Sequence, residues 1–137
     1  MYRLSNRSLS ALVGVHPSIA IIPQEAIKIT PVDFMVFEGI RTMKRQRYLY
    51  STGASKTLDS YHLYGLAIDI VPYVNGELSW EEEYFPPIVE SVKTVIDEYN
   101  LPVQWGYDLW KWDLAHWQMS NFKRSYDARK FNPIICK

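Results

Sequence analysis

The sequence predicts an α+β domain, a small and mainly antiparallel sheet flanked by helices, and three observations lead there. Helical and strand-like patterns are segregated along the chain instead of alternating as regular βαβ units. The strand-like runs are short, and one of them carries Asn75-Gly76, a strong turn signal. The 137 residues suffice for one domain with a single core and are too few for two. A hydrophobic content of 47% with 22% charged residues suits a globular chain. Fifteen basic residues balance fifteen acidic ones, so no global field draws the protein to nucleic acid or to an anionic membrane.

Each element has its own warrant. Ser5 or Asn6 can cap a helix over residues 4–13, with Leu9, Leu12 and Val13 at helical spacing and Gly14 ending it. Pro17 suits the first turn of a second helix running to about Ile29, with Ile21, Ile22, Ala26 and Ile29 inward and Pro23 a possible break. The apolar, aromatic run from Asp33 to Glu38 reads as a buried strand. Thr42 can cap a helix from Met43 to about Thr52 whose Lys44, Arg45 and Arg47 are solvated. A polar loop over 53–59 leads to a strand from Ala67 to Val71. Ser79 before Trp80 and three glutamates reads as a helix start, interrupted at Pro86 and Pro87, with the main amphipathic helix then running to Tyr99. Asn100 and Pro102 stop it. Val103-Gln104-Trp105 is a strand, 106–113 a Trp-rich loop, and 115–119 a last strand. The tail over 120–137 is basic and has no clear period.

The single cysteine, Cys136, cannot form an internal disulfide, which fits a reducing cytoplasm. The polar N-terminus lacks the apolar core of a signal peptide, and no run approaches the roughly 18–20 apolar residues of a membrane span. Membrane insertion is therefore not expected.

Chemistry concentrates around Ser60-Tyr61-His62-Leu63-Tyr64-Gly65-Leu66-Ala67-Ile68-Asp69, where a histidine and a carboxylate enter an apolar segment. A buried carboxylate is costly unless a cation or several donors meet it, so Asp69 either pairs with an arginine or shares a metal with His62. Seven residues apart, the two would face opposite ways on one strand and lie roughly 10 Å apart along one helix. A shared metal therefore demands a turn between them, which Gly65 permits. Of the other two histidines, His16 beside Pro17 reads as a surface or capping residue, while His116 lies three residues after Asp113. Two imidazoles, one carboxylate and an open position are the ligand set of a hydrolytic zinc site, and Asp113 could serve as the base for its water. A hydrogen-bonded core pair of His and Asp is the commoner arrangement of such residues, and packing the commoner role of Trp105, Trp110, Trp112 and Trp117. By default, Arg41 is solvated or salt-bridged. The residues alone leave these alternatives open.

Ser60 to Asp69 resembles the Ser-x-His-x-x-Gly-x-Ala-x-Asp motif of the zinc D-Ala-D-Ala carboxypeptidase and L-alanyl-D-glutamate peptidase family, whose domain is hedgehog/DD-peptidase-like. Asp113-x-x-His116 is similar to its second motif, and Glu38-Gly39-Ile40-Arg41-Thr42 to the segment carrying its substrate-binding arginine. The resemblance runs from about Phe34 to Met119, within a single domain over 1–137. It implies Zn²⁺ held by His62, Asp69 and His116, with Asp113 as catalytic base. Arg41 would hold a substrate carboxylate or the oxyanion, and Ser60 would hydrogen-bond substrate. Many carboxypeptidase members carry glutamate in place of Asp113, whereas phage-type endopeptidases often show aspartate. Gln118 departs from the acid or histidine of many relatives.

By context the chain looks like the single-domain endolysins of phages that infect Gram-negative bacteria. The expected activity is cleavage of the L-Ala–D-Glu bond of the peptidoglycan stem peptide, for host lysis. Such a protein would act as a monomer and wait in the host cytoplasm until a separate membrane-permeabilising protein opens the way to the wall. A D-Ala-D-Ala carboxypeptidase or dipeptidase with the same zinc set, a wall-binding module without catalysis, and a metal-free core pair are the rival readings.

Overall fold

The computed structural model describes residues 1–120. Cys136 and all of the basic tail beyond Ser120 lie outside the described residues. In chain order the elements are α1 (Asn6–Ala11), α2 (Pro17–Ala26), β1 (Phe34–Glu38), α3 (Met43–Ser51), β2 (Ala67–Val74) and β3 (Glu77–Leu78). There follow α4 (Phe85–Tyr99), β4 (Val103–Trp105), α5 (Gly106–Trp110) and β5 (His116–Met119). The sheet has the order β1-β2-β5-β4, every neighbouring pair antiparallel, with β3 paired to the far end of β2. The architecture is the expected α+β one.

Local chemistry explains most boundaries. Ser5 caps α1 by accepting from Ser8 N at 3.1 Å, and Thr42 caps α3 by accepting from Arg45 N at 3.1 Å. Asn75 and Gly76 both take positive φ, 54° and 81°, the demand of a two-residue turn whose twist matches its strands. Asn100, at φ 51°, ends α4 in the left-handed conformation.

Several expectations need correcting. In α1 the inward residues are Ser8 and Leu12, while Leu9 and Val13 are exposed, because buried Ser8 Oγ accepts the β1 amide of Val36 at 3.0 Å. α2 stops at Ala26, Ile29 is exposed and Ile21 only half-buried; Ile19 and Ile27 take the inward places. Pro23 does not break α2, since burial of Ile19, Ile22 and Ala26 around it offsets one missing N–H bond. No α-helix starts at Ser79. A 3₁₀ turn over Glu82–Tyr84 precedes α4, and Pro86 and Pro87 sit in the first turn of α4, where amide groups have no helical partner to lose. The Trp-rich loop contains the short helix α5.

The sheet sorts its side chains by the two-residue period of a strand. Ile68 and Ile70 of β2 and Trp117 and Met119 of β5 are buried in the core with Ile19, Ile22, Ile88 and Val92 from α2 and α4. Asp69 and His116, direct cross-strand partners, occupy the opposite face. β1 needs one irregularity to join them. Val36 pairs with Ile70 but Glu38 pairs with Asp69, so Phe37 is an extra residue, a bulge that turns Glu38 to the face of Asp69. No described helix is long and apolar enough to cross a membrane.

Candidate metal centre

The turn demanded between His62 and Asp69 is present. Residues Tyr61–Tyr64 form a 3₁₀ turn, and Gly65 closes it at φ 74° before β2 begins. Ser60 caps this turn, its Oγ accepting from His62 N at 3.2 Å. His62 thereby swings back over Asp69. His62 Nε2 and His116 Nδ1 each lie 3.3 Å from Asp69 Oδ1, and one atom from each residue falls within 4.8 Å of the other two.

The outer bonds of both imidazoles decide which nitrogen faces inward. His62 Nδ1 donates to the Gly39 carbonyl at 2.8 Å, leaving Nε2 as a lone pair aimed at the carboxylate. That Nε2 is buried and has no hydrogen-bond partner among the described residues. An orphaned acceptor beside a carboxylate oxygen costs on the order of 1–3 kcal/mol, a cost that a shared cation removes. His116 Nε2 donates to Gln118 Oε1 at 2.9 Å, which turns Nδ1 toward Asp69. Gln118 is therefore no defect: two residues along β5 from His116, it shares that face, and its amide oxygen orients the imidazole as an acid would.

The electrostatics favour positive charge at this point. Burial alone would push the Asp69 carboxyl up, but the His62 and His116 imidazoles hold it well below the usual carboxylate range. Burial would lower His116, and its bond to Asp69 outweighs that and raises it. The donor set, two nitrogens and one carboxylate oxygen, matches that of a hydrolytic zinc ion, so the residues fit the metal.

Asp113 stands beside this group in the loop before β5. Its Oδ1 accepts from Ala115 N at 3.3 Å and His116 N at 3.2 Å, which fixes it at the strand entrance. Burial pushes its carboxyl up, and the charge of Asp69 adds to this against the pull of His116. Gly106 makes room for the approach: a Cβ there would lie 3.0 Å from His116 Cβ and 3.1 Å from the Asp113 carbonyl.

Arg41 is both a salt-bridge partner and a wall of the cleft. Its Nε pairs with Glu38 Oε1, Nη1 donates to Gln46 Oε1 at 2.8 Å, and Nη2 lies 3.9 Å from Asp69 Oδ2. Two of its five N–H groups are engaged in these hydrogen bonds.

All six residues singled out from the sequence, Arg41, Ser60, His62, Asp69, Asp113 and His116, line one cleft of about 560 Å³. The tryptophans divide. Trp105 stacks on Trp117, with ring centroids 5.8 Å apart, and belongs to the packing. Trp110 and Trp112 stack on each other at 6.2 Å and line the cleft, with Trp110 5.3 Å from His116. Trp80, edge-on to Phe37, also lines it. A groove of about 880 Å³ between α4 and α5 includes none of His62, Asp69 and His116.

Sequence reasoning missed Gly39, Gln46 and Glu38. Gln46 carries no sequence signal, a polar residue between two cationic and solvated neighbours, and only the fold shows that it is buried. Gly39 offers its carbonyl to His62, and a Cβ on it would lie 1.9 Å from the Ala11 carbonyl oxygen, so only glycine lets α1 approach here.

Comparison with known proteins gives a consistent result. The sequence model of the family described as phage L-alanyl-D-glutamate peptidase matches residues 1–132. The L-alanyl-D-glutamate peptidase of Escherichia phage T5 is 28% identical over 111 residues, 78% of this chain and 81% of that protein. The peptidoglycan L-alanyl-D-glutamate endopeptidase CwlK of Bacillus subtilis is 33% identical over 96 residues, 56% of this chain and 54% of that protein. Among solved structures, the Serratia marcescens L-Ala D-Glu endopeptidase ChiX superposes with a TM-score of 0.79 at 38% identity, covering 86% of this chain and 90% of that one.

Proposed function

We propose, from the premise that the chain belongs to the phage L-alanyl-D-glutamate peptidase family, that it is a zinc-dependent endolysin cutting the L-Ala–D-Glu bond of the peptidoglycan stem peptide. One observation carries the reading: one ligand atom each from His62, Asp69 and His116 converge within 4.8 Å in a cleft that Arg41 and Asp113 also line.

His62, Asp69 and His116 would hold the ion. When bound, zinc supplies Lewis-acid polarisation and eases ionisation of water. The chain's own groups do the rest. Asp113 takes a proton from the attacking water and returns it to the leaving amine of D-Glu, so its raised carboxyl suits a base working closer to neutrality. The N–H groups of Arg41 outside its Glu38 and Gln46 bonds hold the developing oxyanion or a carboxylate of the stem peptide. Ser60 touches substrate at the wall beside His62. Trp110, Trp112 and Trp80 border the entrance and keep bulk water from the reacting bond.

The chain functions as one domain and as a monomer. It remains in the host cytoplasm until a separate membrane-permeabilising protein admits it to the wall.

Digestion of purified muropeptides, with identification of the new termini, tests the reading. A free N-terminal D-Glu is expected, and released D-Ala would transfer the site to carboxypeptidase chemistry. Metal analysis should find about one equivalent of zinc, lost together with hydrolysis in His116→Ala.

A further inference from the structure

We propose that Gln46 is a positioning residue of this site, coupling the Arg41 guanidinium to the 55–57 wall of the cleft so that the two move as one. The inference rests on the cleft being the peptidase site described above.

Gln46 lies in α3 and is wholly buried. Its Oε1 accepts from Arg41 Nη1 at 2.8 Å, and its Nε2 donates to Ser55 Oγ at 2.9 Å and to the Thr57 carbonyl at 2.6 Å. The partners fix the amide's orientation: Arg41 can only donate and the Thr57 carbonyl can only accept, so a flipped amide would lose both bonds. Arg41, Ser55 and Thr57 all line the cleft, on two segments that Gln46 bridges. A residue needed only to fill the inner side of α3 would be apolar, because a buried amide is tolerated only when bonded.

The bridge has a chemical consequence. Arg41 is held by Glu38 at Nε and by Gln46 at Nη1, while Nη2 stops 3.9 Å short of Asp69 Oδ2. Without Gln46 the guanidinium is free to tilt toward Asp69, which would withdraw the donors that face substrate. The same loss frees the Thr57 side of the wall, whose remaining ties are local, while Ser55 N keeps its bond to the Leu49 carbonyl of α3 at 3.0 Å. Gln46 touches no substrate and acts through Arg41 and the wall.

Two variants separate these roles. Gln46→Met keeps length and volume but removes all three bonds. Gln46→Glu keeps the acceptor for Arg41 and sets a carboxylate oxygen against the Thr57 carbonyl, releasing the wall alone. On a stem-peptide substrate, Gln46→Met should lower kcat by about 10- to 100-fold and raise KM, the scale of a misplaced catalytic group. Gln46→Glu should recover most of kcat while KM stays raised. Backbone amide exchange at Thr57 and Asp59 should quicken in both variants, and zinc stoichiometry should stay near that of the wild type. Wild-type kcat, KM and exchange in Gln46→Met would overturn the proposal. So would equal losses of kcat in both variants, which indicate a structural role only. Should the wild-type protein cut some other bond, the functional reading fails, and the exchange rates still decide whether Gln46 holds the wall. Should Gln46→Met not fold, Gln46→Glu carries the kcat-against-KM comparison.

Discussion

The floor and the rim of the cleft are built differently. His62, Asp69 and His116 sit on a closed turn and on paired strands, with the two imidazoles buried and each oriented by a second bond, to Gly39 or to Gln118. Trp80, Trp110 and Trp112 at the rim are 57%, 45% and 57% exposed, and they meet chiefly other rings. The floor is held by hydrogen bonds on paired strands, as a metal set would need, whereas the rim rests chiefly on ring contacts. Asp113 stands between them, half-buried in the loop yet tied to the first amides of the strand.

Substitutions that separate floor from rim should differ in kind as well as size. Asp113→Asn keeps shape and the acceptor for the Ala115 and His116 amides but removes the base. Hydrolysis should fall by about 10²- to 10⁴-fold with zinc still bound, measured as muropeptide turnover beside metal content. Gly39→Ala strikes the support of the floor from behind. Its Cβ meets the Ala11 carbonyl, so α1 must move, and the expected cost is about 1–3 kcal/mol, read as a lower thermal midpoint. Gln118→Leu leaves the ligands intact and unties His116 Nε2. Zinc affinity should drop by roughly 10- to 100-fold in a chelator competition, with little change in fold. Trp112→Ala touches only the rim. Stability should stay within about 0.5 kcal/mol and zinc content should not change, while clearing of whole sacculi slows a few-fold. A loss of zinc in Trp112→Ala would erase the distinction between the two regions.

The sequence made the floor readable because its constraints are local. A separation of seven positions between His62 and Asp69 leaves a turn as the one way to share an ion, and Gly65 supplies it. The Asn75-Gly76 turn and the Thr42 cap are equally short-range. What escaped notice depends on distant partners. Pro86 and Pro87 look like a break until one sees that Phe85 already starts the helix. Gln46 looks like one more polar residue between Arg45 and Arg47 until Ser55 and Thr57 fold over it. Leu9 and Val13 look like core, but the inner face of α1 is set by what Ser8 must reach, the amide of Val36. Ring for ring, Trp105 and Trp110 are alike in sequence, and only the stacking of Trp105 on Trp117 assigns one to packing and leaves the other in the cleft.

The extra residue in β1 makes the centre depend on strand register as well as on residue type. An unbroken ladder through the same residues, a pairing the sheet itself would accept, would set Phe37 opposite Asp69. Glu38 would then turn toward the core and take with it its hold on Arg41 and Arg45. The bulge at Phe37 is thus what keeps Glu38 within reach of both arginines, whichever side chain stands in the bulge.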